Sequence, residues 1–238
     1  ELAPEIIQQN VDFIENLRDH STSNFEVIPI PPELSNHLIL PEDPRKNIGQ
    51  VSISSILVAK STNSILYADD MRLRKFAKEI LQVDGFWTQI LLQDFVDEGL
   101  ISFSDYAFAC TKLLDTNYHF TSLNPDLIMQ VIDDSKYLIS SNVRTIVTGL
   151  KGPEMIFEDA IRIASEVIRK YWLGPTMDEN RRLLLDEILR NLCEGRNMRQ
   201  IVRALMKELE GALLVAPIQQ QSVLQEIDNW YKVHLRLT

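Results

Sequence analysis

Two adjacent carboxylates, Asp69 and Asp70, form the pair in this sequence whose position best suits chemistry. They directly follow Ser64–Ala68, a short apolar run of the length expected for a buried strand. After them the apolar residues recur at helical spacing, which predicts a helix from about Met71. In an open α/β sheet ligands gather where a strand passes into a helix, and two neighbouring carboxylates there favour a hard cation. The alternative is structural: one aspartate caps the helix by accepting its free N–H groups, and the other is exposed.

A second chemical pattern is a basic stripe near the C-terminal end. Arg199, Arg203 and Lys207 recur at every fourth residue, so they line one face of a predicted helix. The stripe flanks an apolar arc made of Val202, Leu205, Met206 and Leu209. It could contact RNA or an acidic partner, including the acidic half of this chain. The alternative is a solvated polar face, because Glu208 and Glu210 are interspersed.

The cysteines and histidines show no pattern typical of a site. Cys110 and Cys193 lie within apolar helical patterns, which predicts small buried side chains in a reducing compartment. The four histidines have no ligand spacing. No run approaches the ~20 apolar residues that a membrane span needs. We therefore expect a cytoplasmic protein that does not enter the membrane.

The charge distribution predicts two domains. Of the 34 Asp and Glu residues, 21 lie in residues 1–150 against 11 Lys and Arg, whereas residues 151–238 carry 13 of each. The whole net charge of −10 therefore belongs to the first part, and the turn-type sequence Lys151-Gly152-Pro153 marks the expected boundary. An acidic surface disfavours non-specific binding to phosphate backbones. Because the chain begins at Glu1 rather than Met, we expect it to be a piece of a larger protein.

The two parts differ in their predicted secondary structure. Residues 1–150 alternate helices with three strand candidates, which favours an α/β fold with a parallel sheet; the candidates are Phe25–Ile30, Ser64–Ala68 and His119–Leu123. Residues 151–238 show only helical patterns, beginning near Glu154, Thr176, Met198 and Pro217. Thr88 and Thr176 are predicted helix caps, and Ser102 with Asp105 forms a capping-box pattern. A bundle this small has little core of its own, so we expect it to dock on the α/β part.

The segment Leu66–Arg74, with the sequence Leu-Tyr-Ala-Asp-Asp-Met-Arg-Leu-Arg, resembles the PIN domain, a metal-dependent nuclease fold. More narrowly, it is similar to PIN-like domains of large multidomain bacterial proteins. Three later segments keep the order of that family, namely Gly85–Gln89, Glu98–Ser102 and Asn117–Phe120. The resemblance covers residues 64–130 well and residues 1–63 only by pattern. It implies a three-layer α/β domain with a short parallel sheet, followed here by an all-helical C-terminal bundle.

The resemblance also implies a chemistry, which is phosphodiester hydrolysis in RNA or DNA. Three or four acidic residues at strand ends would hold Mg²⁺ or Mn²⁺, which activates a water molecule. Asp70 falls where the family has its aspartate after the late strand, Asp69 is an extra neighbour, and Glu5 would match a glutamate on an early helix. The opening strand with the family's first aspartate is missing. Thr88 and Gln89 replace the acid expected after the next strand.

Three functional hypotheses follow from these residues. The first is an endoribonuclease dependent on Mg²⁺ or Mn²⁺ and weakened by its incomplete acidic set, in which Asp70 and Asp69 bind metal. Arg72 or Arg74 would then contact phosphate, unless both simply belong to a solvated helix face. The second is a catalytically silent PIN-like interaction module that works with other domains of its parent protein. The third is an unrelated α/β regulatory domain in which Asp70 is only a helix cap.

Overall fold

The computed structural model describes residues 49–116, 118, 122–151 and 155–235, together with seven isolated positions nearer the N-terminus. Its chain divides into two compact units, Glu1–Phe86 and Trp87–Thr238. This division differs from the predicted boundary at Lys151, because helices on both sides of that turn contribute to one hydrophobic core. Of the predicted strand Phe25–Ile30, only Glu26 and Ile28 are described, and neither belongs to a strand.

The first unit contains a short parallel sheet. Its elements are α1 (Gln50–Ser61), β1 (Leu66–Tyr67), α2 (Met71–Leu81) and β2 (Gly85–Phe86). The two strands pair in parallel, with Leu66 opposite Gly85 and Tyr67 opposite Phe86. The parallel pairing predicted for this part of the chain is confirmed, although β1 is shorter than the apolar run Ser64–Ala68.

A small core holds these elements together. Its buried side chains come from α1, α2, β1 and the approach to β2, and they are Ile53, Ile56, Leu57, Ala59, Leu66, Ala77, Leu81 and Val83. Leu66 is buried while its neighbour Tyr67 is half exposed, because successive side chains of a strand point to opposite faces. The strand-to-helix turn that carries Asp69 and Asp70 is therefore anchored by Leu66 on one side and by α2 on the other.

The described residues of the second unit form helices and connecting turns. The helices are α3 (Thr88–Asp97), α4 (Phe103–Asp115), α5 (Pro125–Asp134), α6 (Ser141–Thr148), α7 (Phe157–Leu173), α8 (Asp178–Cys193), α9 (Met198–Ala212) and α10 (Pro217–Leu235). A short 3₁₀ turn, Gly149–Lys151, follows α6. Residues 119–121 of the predicted strand His119–Leu123 lie outside the described residues, and Ser122 and Leu123 belong to no strand.

Local capping signals fix the starts of two helices. Ser102 and Asp105 form the reciprocal capping box at the start of α4. Asn124 accepts a hydrogen bond from the backbone of Leu127 at 2.8 Å and precedes Pro125 at the first position of α5. Both signals depend only on residues three positions apart, so they can be recognised without the tertiary structure.

The predicted caps at Thr88 and Thr176 are wrong. Thr88 is the first residue of α3, after Trp87 at the N-cap. The N-cap of α8 is Met177, whose side chain makes no capping hydrogen bond. The Thr176 hydroxyl instead donates to the carbonyl oxygen of Tyr171 at 3.0 Å and accepts from Nε of Arg181 at 2.9 Å. Through these two hydrogen bonds, Thr176 links the first turn of α8 to the last turn of α7.

One continuous hydrophobic core joins the helices of the second unit from α4 to α10. Tyr171 and Trp172 are its largest fully buried side chains. Cys110 is buried in this core, Cys193 is half-buried beside it, and both thiols are free. In the described part of the chain, no helix combines the length and the apolar composition that a membrane span needs.

Candidate functional site

Asp70 lies just beyond the carboxyl end of β1, where the sequence pattern predicts it, and it is the N-cap of α2. Its Oδ1 accepts hydrogen bonds from the backbone N–H groups of Arg72 at 2.8 Å and Leu73 at 3.2 Å. Its backbone is extended, as is usual for an N-cap. The structural interpretation of Asp70 as a helix cap is therefore confirmed.

Arg74 also stabilises this turn, by hydrogen bonds to its backbone. Its Nη1 donates to the carbonyl oxygen of Ala68 at 2.6 Å and to that of Asp69 at 2.9 Å. Gly85 leaves room for this arrangement, because a Cβ at that position would lie 3.1 Å from the Cγ of Arg74. The half-buried guanidinium thus holds the backbone between β1 and α2, a role that the sequence did not reveal. The second predicted phosphate contact, Arg72, is exposed on α2.

The carboxylates of Asp69 and Asp70 at this turn could still bind a cation. Asp69 is half-buried and Asp70 is exposed, and Oδ2 of Asp70 makes no hydrogen bond to any other described residue. Magnesium is commonly held by one or two carboxylates plus waters and phosphates, so the donor types fit that ion. Among the described residues, no group of three or more His, Cys, Asp or Glu side chains could share a metal. Glu5, the other predicted ligand, lies outside the described residues.

Gln89 occupies the segment after β2 where the family resemblance places an acid, and it has a different environment. Its side chain is only 3% exposed. Nε2 donates to the hydroxyl of Tyr106 at 2.9 Å and to the carbonyl oxygen of Ser122 at 2.7 Å. Oε1 accepts the backbone N–H of Ser122 at 2.6 Å. The amide therefore bridges α3, α4 and the segment before α5, using both a donor and an acceptor that one carboxylate could not supply together.

The groups around Gln89 are neutral at neutral pH. Burial raises the pKa of Tyr106 to about 12 and that of the Cys110 thiol to about 11. A thiol with a raised pKa carries little thiolate and is a poor nucleophile. This polar cluster inside the second unit is therefore a structural network, which no local sequence pattern indicates.

The basic stripe predicted on α9 is exposed. Arg199, Arg203 and Lys207 point away from the core, and none of them forms an ion pair within the described part of the chain. On the adjoining face of the helix, Val202, Leu205 and Leu209 are buried and Met206 is half-buried, which confirms the predicted amphipathic division.

Two neighbouring arginines do not extend the stripe. Arg190 pairs through Nε with Oδ2 of Asp186 at 2.7 Å. Arg196 donates through its guanidinium to the carbonyl oxygens of Leu150 at 3.0 Å and Met155 at 3.3 Å. The accessible basic surface of α9 is therefore limited to three side chains.

In a comparison with known proteins, a family model matches the N-terminal part of the chain. A family model described as "PIN domain associated with the TPR-GreAB-C-PIN system" matches residues 1–79, about a third of the chain. That range includes Asp69, Asp70, Arg72 and Arg74, and it ends within α2. No curated protein and no solved structure matches the chain.

Proposed function

We propose that this chain is a catalytically silent PIN-like module that acts together with other domains or proteins. The main support is that Asp70, which the resemblance makes a metal ligand, caps helix α2. Oδ1 of Asp70 is occupied by two backbone N–H groups of α2. With Oδ1 engaged in the cap, Asp70 offers a cation only Oδ2, which is one ligand of the octahedral set that Mg²⁺ requires.

The position of Gln89 supports the same proposal. Where the family resemblance calls for an acid, the chain has an amide whose three hydrogen bonds hold α3 to its neighbours. An ionised carboxylate in that buried position would lose the two bonds that Nε2 donates and would meet the carbonyl oxygen of Ser122. The packing around Gln89 therefore favours a structural amide over a metal ligand.

A partner-dependent role follows from the family description. The model that matches residues 1–79 is named for an association with the TPR-GreAB-C-PIN system. We infer that the present chain contributes its PIN-like unit to such a system and that the helical unit serves contacts with other components. The cytoplasm is the compartment that we propose for this association.

The alternative is a weak endoribonuclease dependent on Mg²⁺ or Mn²⁺. The exposed Oδ2 of Asp70 and the adjacent Asp69 favour it, because both lie beyond the carboxyl end of a parallel strand. In that case Asp69 and Asp70 would hold the ion, together with Glu5 by resemblance. A metal bound there would supply an activated water and stabilise charge on the leaving oxygen.

A cleavage assay distinguishes the two functions. The full chain is incubated with a fluorescent single-stranded RNA in Mn²⁺, beside Asp69→Asn, Asp70→Asn and the control Asp84→Asn. Asp84 is an exposed carboxylate of the same unit that pairs with Lys78, so its loss tests the effect of charge alone. We expect all four proteins to give the same low rate as the buffer. Mn²⁺-dependent cleavage that Asp70→Asn abolishes and Asp84→Asn retains would establish the nuclease instead.

A further inference from the structure

The stripe on α9 presents its charges at a regular spacing. Arg199, Arg203 and Lys207 are four residues apart, so successive charges lie ~6 Å apart along the helix axis. All three are exposed, and within the described residues none is neutralised by an ion pair.

An aliphatic cluster follows at the C-terminal end of the same helix. Leu214, Val215 and Ile218 are 74%, 94% and 79% exposed, respectively. Leu214 and Val215 lie in the turn after α9, where the buried Leu213 donates its N–H to Leu209 at 3.0 Å and Ala216 donates to Leu213 at 2.9 Å, whereas Ile218 is the second residue of α10. Large exposed apolar side chains that lie close together along the chain, here at the junction of α9 and α10, mark a candidate interaction site.

The charges of this region indicate an acidic partner, and the apolar residues indicate a protein. Proteins that bind single-stranded nucleic acid stack bases on aromatic rings, whereas the exposed cluster beside α9 is wholly aliphatic. Residues 87–238 carry 16 Lys and Arg against 21 Asp and Glu, so the unit as a whole repels a long polyanion. Three local cations within this acidic unit instead match a short acidic segment.

We propose that the α9 surface, defined as Arg199, Arg203, Lys207, Leu214, Val215 and Ile218, binds an acidic amphipathic helix of a partner protein. Carboxylates at positions i, i+4 and i+8 of that helix repeat at the same ~6 Å and meet the three cations. Apolar residues beyond them pack on the aliphatic cluster, as in other complexes where a helix binds a groove or face. This inference deepens the proposed function because it names the chemistry of the partner, yet it uses none of the residues near Asp70.

The test uses the full chain and a fluorescein-labelled helical peptide with glutamates at i, i+4 and i+8 and leucines beyond them. Binding is followed by fluorescence anisotropy for wild type, Arg199→Glu/Arg203→Glu/Lys207→Glu and Leu214→Ser/Ile218→Ser. The matched control is Lys60→Glu/Lys75→Glu/Lys136→Glu, which makes the same change in net charge at exposed lysines elsewhere. A peptide with glutamine in place of glutamate and a single-stranded oligouridylate are measured in parallel.

We expect both surface variants to weaken binding of the acidic peptide by about tenfold or more while the lysine control binds as wild type does. The glutamine peptide should bind as weakly as the charge-reversed variant binds the acidic peptide. No binding of the acidic peptide at ~1 mM would overturn the proposal. Stripe-dependent binding of the oligouridylate in preference to the peptide would also overturn it, in favour of nucleic acid.

Oligomeric state is measured by light scattering on the same proteins. A dimer that the α9 variants dissociate would show that a second copy of the chain covers this surface, which would overturn the partner helix. The cleavage assay is independent of these results. Nuclease activity lost in Asp70→Asn would refute the proposed function and leave the α9 surface standing, whereas failure of the peptide assay would refute only the α9 surface.

Discussion

The two units of this chain are stabilised in different ways. Among the described residues, the core of the first unit has eight buried apolar side chains, and that of the second has 32. In the first unit, polar groups supplement this small core, since Asp70 and Arg74 hold the turn between β1 and α2. In the second, apolar packing dominates and Gln89 is a buried polar exception. The comparison teaches that polar residues at a strand end can stabilise the local backbone even where they resemble a site.

The largest effect is expected from a cavity in the core of the second unit. Ile188 is fully buried on α8, so Ile188→Ala should lower the free energy of unfolding by about 3–4 kcal/mol. Leu183 on the same helix is 41% exposed, and Leu183→Ala should cost much less. Urea unfolding monitored by circular dichroism measures both. Equal losses would contradict the assignment of α8 to a tightly packed core.

Removing the buried amide should have the next largest effect. Gln89→Leu leaves the backbone N–H and carbonyl of Ser122 without their partner, and we expect a loss of about 2–3 kcal/mol. Gln93 on the same helix makes an exposed hydrogen bond to Asp97, so Gln93→Leu is the control and should change little. If both variants unfold at the same urea concentration, the Gln89 network does not stabilise the second unit.

A smaller effect is expected at the cap of the first unit. Asp70→Ala removes the acceptor for the N–H groups of Arg72 and Leu73 and should destabilise α2 by about 1 kcal/mol. Asp70→Asn should change stability little, because asparagine caps helices about as well as aspartate. Amide hydrogen exchange at residues 72 and 73 measures the change locally. Slower exchange in Asp70→Ala than in wild type would contradict the role of Asp70 as a cap.

The smallest effect concerns the pH dependence of an ion pair in the second unit. The pKa of Asp186 lies below its ordinary value. Partial burial by itself would raise this pKa, but the hydrogen bonds that Arg190 and the indole of Trp230 donate to the carboxylate lower it by more. A carboxylate whose pKa is lower in the folded state contributes stability above its unfolded pKa and loses it as the pH falls through the folded value.

Asp186→Asn should therefore be slightly less stable than wild type at pH 7, by less than ~1 kcal/mol because the pair is partly exposed. The difference should shrink as the pH falls below about 4, the ordinary pKa of an aspartate. Urea unfolding of both proteins at pH 7 and pH 3.5 measures it. A difference that grows on acidification would show that the pKa of Asp186 is raised rather than lowered.

Local features of this protein could be read from the sequence because their partners are close along the chain. The change of period at Asp70 predicts the end of a strand and the start of α2, and the Ser102–Asp105 spacing predicts the start of α4. The apolar arc of α9 likewise follows from helical spacing alone. The same change of period could not decide the role of Asp70. Both a helix cap and a metal ligand require an aspartate where a strand passes into a helix.

The tertiary structure alone decided the roles that depend on distant partners. Gln89 and Ser122 are 33 positions apart, and Arg196 and Leu150 are 46 apart, so no local pattern relates them. The charge shift at Lys151 predicted a domain boundary, yet the compact units divide after Phe86. Charge is a property of the surface, whereas a unit is defined by which apolar faces share a core, and the pairing of those faces is settled only when the chain has folded.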